Sequence, residues 1–270
     1  DLPPALVKKW KAEGRYKKEM KELKDFFKKT GYPRAPKYYI IKWLTDYIRK
    51  YGIDGYRADT VKHLDEKTWS EFKTQCNIAF SQYKAANPTK VFNDFYLLGE
   101  VYGYSVANGK DYDFGDKKVD YFEYGFNNLI NFQFRWDAEK TYEELFSAYS
   151  EKLNGALDGY SITNYISSHD DSNPFDPMRL KNKEAATKLL LCPGISQVYY
   201  GDETSRVLKV DGAQGDANLR SNMNWEEVKN DAQKAEILLH YQKLGQFRKN
   251  HPAVGAGVHR RISQTPYLFS

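Results

Sequence analysis

A chain of 270 residues is long enough for one large domain or two small ones, with a sizeable buried core. Its 41% hydrophobic and 29% charged residues exclude a disordered or fibrous chain. The net charge of +5 comes from one stretch, since residues 8–29 carry +6 and the remainder −1; this reads as a solvated helix face and not as a nucleic-acid surface.

No run approaches the roughly 18 apolar residues of a membrane span. The opening Asp1-Leu2-Pro3-Pro4 lacks a basic n-region and an apolar h-region, and reads as the interior of a longer chain. Cys76 and Cys192 cannot build a disulfide framework; both lie in apolar helical stretches and are expected to be buried free thiols. Aromatic residues, 16% of the chain, suit a core or a sugar site equally.

Taken in chain order, Leu6, Trp10, Tyr16, Met20, Leu23 and Phe27 recur at helical spacing, with a gap near Gly14. They predict an amphipathic helix with a basic outer face, closed by Gly31-Tyr32-Pro33. Ile40, Trp43, Leu44, Tyr47 and Ile48 predict a second helix, capped by Gly52. Residues 53–59 follow as a short buried strand. Asp65 is placed to cap a third helix carrying Trp69, Phe72, Cys76, Phe80 and Tyr83. Residues 95–102, 119–126, 161–168 and 195–200 read as four further strands, five in all. Helices over 142–153 and 183–191 alternate with them, which implies a parallel sheet covered by helices. Residues 201–225 form a Gly/Asp/Asn-rich loop, 231–249 a last long helix, and the chain after His251 turns to short β-like pieces.

Polar residues gather at the predicted strand ends. Arg57 and Asp59 finish the first strand and Glu100 lies near the end of the second. His169, Asp170 and Asp171 follow the fourth, and Asp202 and Glu203 the fifth. In a parallel α/β barrel these ends share one face, where active sites form. Two carboxyl groups brought together there are the toolkit of glycoside hydrolysis, one ionised to attack and one protonated to release the leaving oxygen. Strand alternation points Arg57 and Asp59 the same way, so the guanidinium would keep Asp59 ionised. Glu100, close to that charge and partly desolvated, would serve as the acid. Tyr102, Tyr104, Tyr199 and Tyr200 could stack on sugars or fill the core. Singly, each of these residues also has an ordinary role, such as a structural ion pair, a helix cap or a solvated side chain.

Four stretches occur together in order. Residues 55–63, Gly-Tyr-Arg-Ala-Asp-Thr-Val-Lys-His, resemble the second signature motif of the α-amylase family, glycoside hydrolase family 13. Leu98-Gly99-Glu100-Val101 resembles the third, Ile166-Ser167-Ser168-His169-Asp170 the fourth, and residues 193–203 the motif at the last barrel strand. The resemblance spans nearly all of residues 36–270 and implies an α/β fold, a parallel (β/α)8 TIM-type barrel, with about five of its eight strands in this chain.

Departures from the family pattern accompany it. The first motif, Asp-x-x-x-Asn-His, is absent. Asp1-Leu2-Pro3 resembles the return from a small loop domain, and residues 266–270 the start of a C-terminal β domain. The implied division is 1–35, end of the loop domain and a connecting basic helix; 36–250, C-terminal part of the barrel; and 251–270, start of a truncated β domain. The missing barrel half and C-terminal domain of a parent protein are then the expected partners.

The resemblance implies a retaining hydrolase of α-1,4-glucosidic bonds in starch, glycogen or maltodextrin, its partner an α-glucan. Asp59 is the implied nucleophile, Glu100 the acid/base and Asp170 the transition-state stabiliser. Arg57 would orient Asp59, and His169 would bind sugar at the cleavage site. Lys62 and His63 would line the leaving-group side, with Tyr102 as a further sugar contact. The His63 carbonyl is an implied ligand of a structural Ca2+ whose other ligands mostly lie outside this chain. A glucan transglycosylase of the same family and a non-catalytic carbohydrate-binding relative are the alternatives. A secreted or periplasmic location is what the resemblance favours.

Overall fold

The computed structural model describes residues 2–90, 92–170, 173–265 and 267–270. Asp1, Asp171 and Pro266, each used in the sequence reading, lie outside the described residues. The chain divides into two compact units, Asp1–Arg57 with Leu64–Leu97, and Ala58–His63 with Leu98–Ser270.

The first unit is helical. α1 (Pro4–Ala12) and α2 (Tyr16–Thr30) replace the single predicted helix, with Gly14 in the break between them. The lysines of residues 8–29 are all exposed, and some pair with neighbouring acids, as Lys18 does with Glu22 at 3.9 Å. This is the solvated face expected. Trp10 is buried and meets Trp43 of α3 (Pro36–Tyr51) edge-on at 6.3 Å. α3 stops at Gly52, whose φ of 69° places it in the left-handed region. A Cβ at Gly52 would also lie 2.2 Å from the Tyr83 ring, so the position needs glycine twice over. β1 (Gly55–Ala58) lies mostly in this unit. Asp65 then caps α4 (Glu66–Ala86) by accepting from Lys67 N–H at 3.0 Å. Trp69, Phe72, Cys76 and Phe80 form the buried side of α4.

The sheet has five strands in the order β1-β2-β5-β6-β7, in which β2 is Tyr96–Gly99, β5 Asn128–Asn131, β6 Ser161–Asn164 and β7 Ile195–Ser196. Between β2 and β5 lies an antiparallel hairpin, β3 (Asp111–Asp113) with β4 (Lys118–Asp120). Leu98 and Gly99 pair in parallel with Asn128 and Leu129, and residues 128–131 pair in parallel with 161–164. Thr163 and Asn164 pair with Ile195 and Ser196. Short α5 (Phe134–Asp137), α6 (Tyr142–Leu153) and α7 (Asn182–Leu191) follow their strands. α8 (Trp225–Asn230), α9 (Ala232–Asn250), α10 (Ala253–Ala256) and the hairpin β8 (Arg261–Gln264) with β9 (Tyr267–Phe269) complete the chain. Among the described residues no helix is long and apolar enough to cross a membrane. Cys76 and Cys192 are buried and free, as expected.

Three further elements differ from the sequence reading. The predicted strand over 119–126 is displaced. Only Lys118–Asp120 is extended, and the Asp120 carboxylate then accepts from Phe122 N–H at 2.8 Å and turns the chain. The sheet strand is Asn128–Asn131, completely buried. Asn128 Oδ1 accepts from Thr163 Oγ1 at 2.7 Å while its Nδ2 stays buried without a partner among the described residues, and Asn131 Nδ2 donates to Asn164 Oδ1 at 3.0 Å. Likewise the predicted strand over 195–200 ends after two residues, because the chain wraps around Arg206. The Arg206 guanidinium sits 4.3 Å from the Tyr200 ring centroid and donates to Tyr200 O at 2.9 Å and Leu219 O at 3.1 Å. Finally, α8 begins at the end of the segment read as loop.

The β8–β9 hairpin docks on α6 through Glu143, which bonds His259 Nε2 at 3.0 Å and the Tyr267 hydroxyl at 3.0 Å. His259, then Ser147, then Tyr267 hold the Glu143 carboxyl down at about 2 against an ordinary 4.5. The folded state therefore prefers the ionised form. This stabilisation is complete above pH 4.5 and is lost as pH falls towards 2. Amide exchange in Tyr267–Phe269, measured across that window, is expected to lose protection as pH falls; Glu143→Gln should flatten the dependence.

Candidate active site

The ends of β1 and β2 are laced together through Glu100. Its N–H donates to Ala58 O at 2.9 Å, its carbonyl accepts from Val61 N–H at 3.0 Å, and its Oε2 accepts from Thr60 N–H at 3.2 Å. Asp59 stands between Ala58 and Thr60, two of the three residues that hold Glu100, so groups distant in sequence become neighbours at adjacent strand ends. Their surroundings differ: Glu100 is buried at 8% exposure, whereas Asp59 is exposed. Thr60 adopts φ 48°, a left-handed conformation that a β-branched residue resists by about 1–3 kcal/mol. The strained turn is what aims Thr60 N–H at the Glu100 carboxyl.

Gly99 precedes Glu100 because no side chain fits there. A Cβ would lie 2.7 Å from the Phe126 ring and 2.9 Å from Leu129. The close packing seats the strand end that carries Glu100.

After β6, Ser168 Oγ donates to Asp170 Oδ1 at 3.1 Å and His169 Nε2 lies 3.3 Å from Asp170 Oδ2. Both side chains remain open, 47% exposed for His169 and 40% for Asp170. Arg220, from the loop before α8, holds the His169 carbonyl at 2.9 Å. Tyr165, just after β6, is buried. Burial pushes its hydroxyl well above the usual value against the opposing Arg135 charge, and Asp170, Tyr102 and Glu100 add to the rise.

Lys62 donates to the Tyr102 carbonyl at 3.0 Å and to the Tyr112 hydroxyl at 2.8 Å. Tyr102 is 63% exposed. His63 is exposed and closes a single 3-10 turn, Val61–His63. Arg57 is an exposed residue of β1 and belongs to the first unit.

Other candidates fall away from the site. Tyr104 is fully buried, its hydroxyl donating to Gly109 O at 2.6 Å, and Tyr199 is buried with its hydroxyl on Leu219 O at 2.8 Å. Both are core residues, not stacking platforms. Asp202 is fully buried and paired with Arg179 Nη2 at 2.8 Å and Ser167 Oγ at 2.5 Å, which makes it structural. Glu203 turns back to accept from Gly201 N–H at 2.8 Å.

Sequence reasoning passed over Tyr112, Tyr165 and Arg220. For Tyr112 there was a signal, the turn-forming run Asp113-Phe114-Gly115-Asp116, which marks a hairpin.

Calcium takes six to eight oxygen ligands. Among the described residues no three His, Cys, Asp or Glu side chains gather as a cation site, and the His63 carbonyl alone does not make one. The residues present do not fit a complete calcium site.

The fold is similar to that of the alpha-amylase of Geobacillus thermoleovorans, solved in complex with acarbose. The TM-score is 0.60 at 22% identity, over 84% of this chain and 47% of that one. That likeness defines the class, part of a parallel (β/α) barrel. The sequence model of the alpha-amylase catalytic domain matches residues 33–232, and the chain belongs to this family. It is 36% identical over 227 residues to the periplasmic alpha-amylase of Escherichia coli K12, covering 83% of this chain and 31% of that protein. It is 29% identical over 239 residues to a cyclomaltodextrinase of a Bacillus species, covering 84% of this chain and 37% of that protein. The chain thus spans about a third of the length of these curated relatives.

Arg179 is nearly as buried as its partner, at 8% side-chain exposure against 0% for Asp202. Removing one member of a buried pair strands the other charge, at about 3–5 kcal/mol. Urea unfolding of Arg179→Met should show a loss of that size, and Arg179→Met/Asp202→Asn should recover part of it.

Proposed function

We propose that the protein containing this chain is a retaining glycoside hydrolase that cleaves α-1,4-glucosidic bonds in starch, glycogen or maltodextrin. The observation that carries the reading is the contrast between two carboxyl groups at adjacent strand ends. Glu100 is buried and held by Thr60 N–H, and Asp59 is exposed at the surface. An acid suits the less polar surroundings and a nucleophile the accessible ones.

In the first step the Asp59 carboxylate attacks the anomeric carbon. The bond to the leaving oxygen breaks, and that oxygen takes the proton of Glu100. A glycosyl ester on Asp59 results. In the second step Glu100, now a carboxylate, takes a proton from water, the water oxygen attacks the anomeric carbon, and Asp59 departs. Two inversions retain the configuration. With a sugar hydroxyl in place of water, the same residues would perform transglycosylation.

Asp170 is assigned to the sugar hydroxyls and the developing charge of the transition state, with His169 beside it on the same sugar. Arg57 is assigned to orienting Asp59, Lys62 and His63 to the leaving-group side, and Tyr102 to a sugar contact. Calcium, expected from the family, enters no step, and His63 would supply one carbonyl oxygen to it at most. Residues 36–250 are the proposed barrel portion, between the 1–35 and 251–270 segments. The name of the Escherichia coli relative supports a periplasmic or secreted location.

General acid–base catalysis is worth about 10²–10⁴-fold. Glu100→Gln in the full-length protein should lower kcat on starch by at least about a hundredfold and leave glucan binding in place. A loss within threefold rejects the role of Glu100. A 2-fluoro or 5-fluoro glycosyl fluoride should trap an ester on Asp59, read by peptide mass spectrometry. Labelling of Asp170 would exchange the two assignments.

A further inference from the structure

The first unit holds a cavity of its own, of about 380 Å³, between α1, α2 and α3. Trp10 of α1 and Trp43, Tyr47 and Tyr51 of α3 line it with aromatic surface. Glu19 and Glu22 of α2 and Asp46 of α3 add carboxylates. None of these residues belongs to the candidate active site. Tyr47 and Tyr51 lie near the end of α3, which leads through Gly52 into the start of β1, whereas Asp59 follows the end of that strand.

A buried ammonium group holds two of the acids in place. The Lys42 side chain is only 4% exposed, and its Nζ donates to Glu22 Oε2 at 3.0 Å and lies 2.6 Å from Asp46 Oδ2. Both acids nevertheless keep 41% of their side-chain surface in solvent. Arg15 Nη1 donates to Glu19 Oε1 at 3.0 Å. Each carboxylate at the cavity thus has a cation beside it, so there is no surplus negative charge to draw a cationic ligand. An ion-paired carboxylate still has lone pairs for hydroxyl donors. Two such groups, fixed by one buried ammonium, suit the hydroxyls of a neutral ligand and have already lost the freedom that binding would otherwise cost.

The aromatic side of the cavity is open. Tyr47 is 52% exposed and Tyr51 59%. Their rings lie 21° from parallel with centroids 6.0 Å apart, an offset arrangement that leaves ring surface uncovered. Lys50 Nζ lies 4.9 Å from the Tyr51 centroid and steadies that ring. Open rings beside fixed acceptors match a pyranose, which is apolar on its C–H faces and hydroxylated at its rim.

We propose that this cavity is a second, non-catalytic carbohydrate site, and that its ligand is another stretch of the α-glucan whose cleavage is proposed above. The inference rests on that reading. A polymer held at two places on one protein stays tethered by one site when the other lets go, which adds about 10²–10⁴-fold to its retention. A short oligosaccharide occupies one site at a time and gains nothing.

The test compares starch granules with maltotetraose, using the full-length protein. Tyr47→Ala/Tyr51→Ala should raise the dissociation constant for granules at least about tenfold and leave kcat/KM on maltotetraose within about twofold. Tyr47→Phe/Tyr51→Phe, which keeps the rings, should hold adsorption within about threefold of wild type. Three results overturn the second site and leave the proposed hydrolase standing. They are adsorption unchanged in the alanine variant, adsorption and maltotetraose cleavage falling together, and a phenylalanine variant as weak as the alanine one. Wild-type protein that cleaves maltotetraose without adsorbing to granules overturns the second site as well. Wild-type protein that neither adsorbs nor cleaves overturns both readings.

Discussion

The register of the sheet in the second unit depends on a buried amide pair. Asn131 and Asn164 face each other across β5 and β6, fully excluded from water, and Asn131 Nδ2 donates to Asn164 Oδ1 at 3.0 Å. Each amide then reaches outward. Asn131 Oδ1 accepts from Val106 N–H at 3.1 Å in the loop after β2, and its Nδ2 also donates to the Tyr149 hydroxyl of α6 at 2.9 Å. Asn164 Nδ2 donates to Pro193 O at 3.0 Å, just before β7. A one-residue slip would turn these side chains to the other face and leave buried polar groups unpaired, at about 1–3 kcal/mol for each. An apolar pair would fill the space but would not choose the register.

Fixed register has consequences at the strand ends. Parallel strands that cannot slide deliver their last residues to one level, so the side chains after β2 and β6 stay in step. The difference in burial between Glu100 and Asp59 is then a local matter. It is set by a left-handed Thr60 on one side and by the glycine contact with Phe126 on the other. Long-range order comes from amides in the core, and fine placement from two backbone features within two residues of the carboxyl groups.

Much of this was legible in the sequence. Gly52, Asp65 and Asp231 mark helix boundaries because capping is a property of single residues, and β1, β2 and β6 lie within their predicted spans. The candidate site residues could be proposed from the sequence because motif spacing does not depend on knowing where each strand stops. β5 was not legible. Asn-Leu-Ile-Asn has a poor strand composition, and its asparagines are tolerated only because Thr163 and Asn164 answer them from the next strand. The preceding Val-Asp-Tyr-Phe run looks more β-like and yet turns, because the short-range bond from Phe122 N–H to Asp120 overrides propensity. The shortness of β7 was hidden for a similar reason, since Arg206 acts on Tyr199 and Tyr200 from beyond the strand. Tyr112 escaped notice because it becomes adjacent to Lys62 only after the hairpin has folded.

The two cysteines carry a consequence for biogenesis. Burial drives the Cys76 thiol up to about 12 and that of Cys192 well above its ordinary value. A sulfur that stays protonated and out of solvent is a poor nucleophile and a poor target for peroxide. Once folded, this part of the protein places no demand on the redox state around it. It needs neither an oxidant nor a disulfide isomerase to mature, and glutathione has no bond here to reduce. Sorting between cell compartments could therefore change over evolution without any redesign of this core.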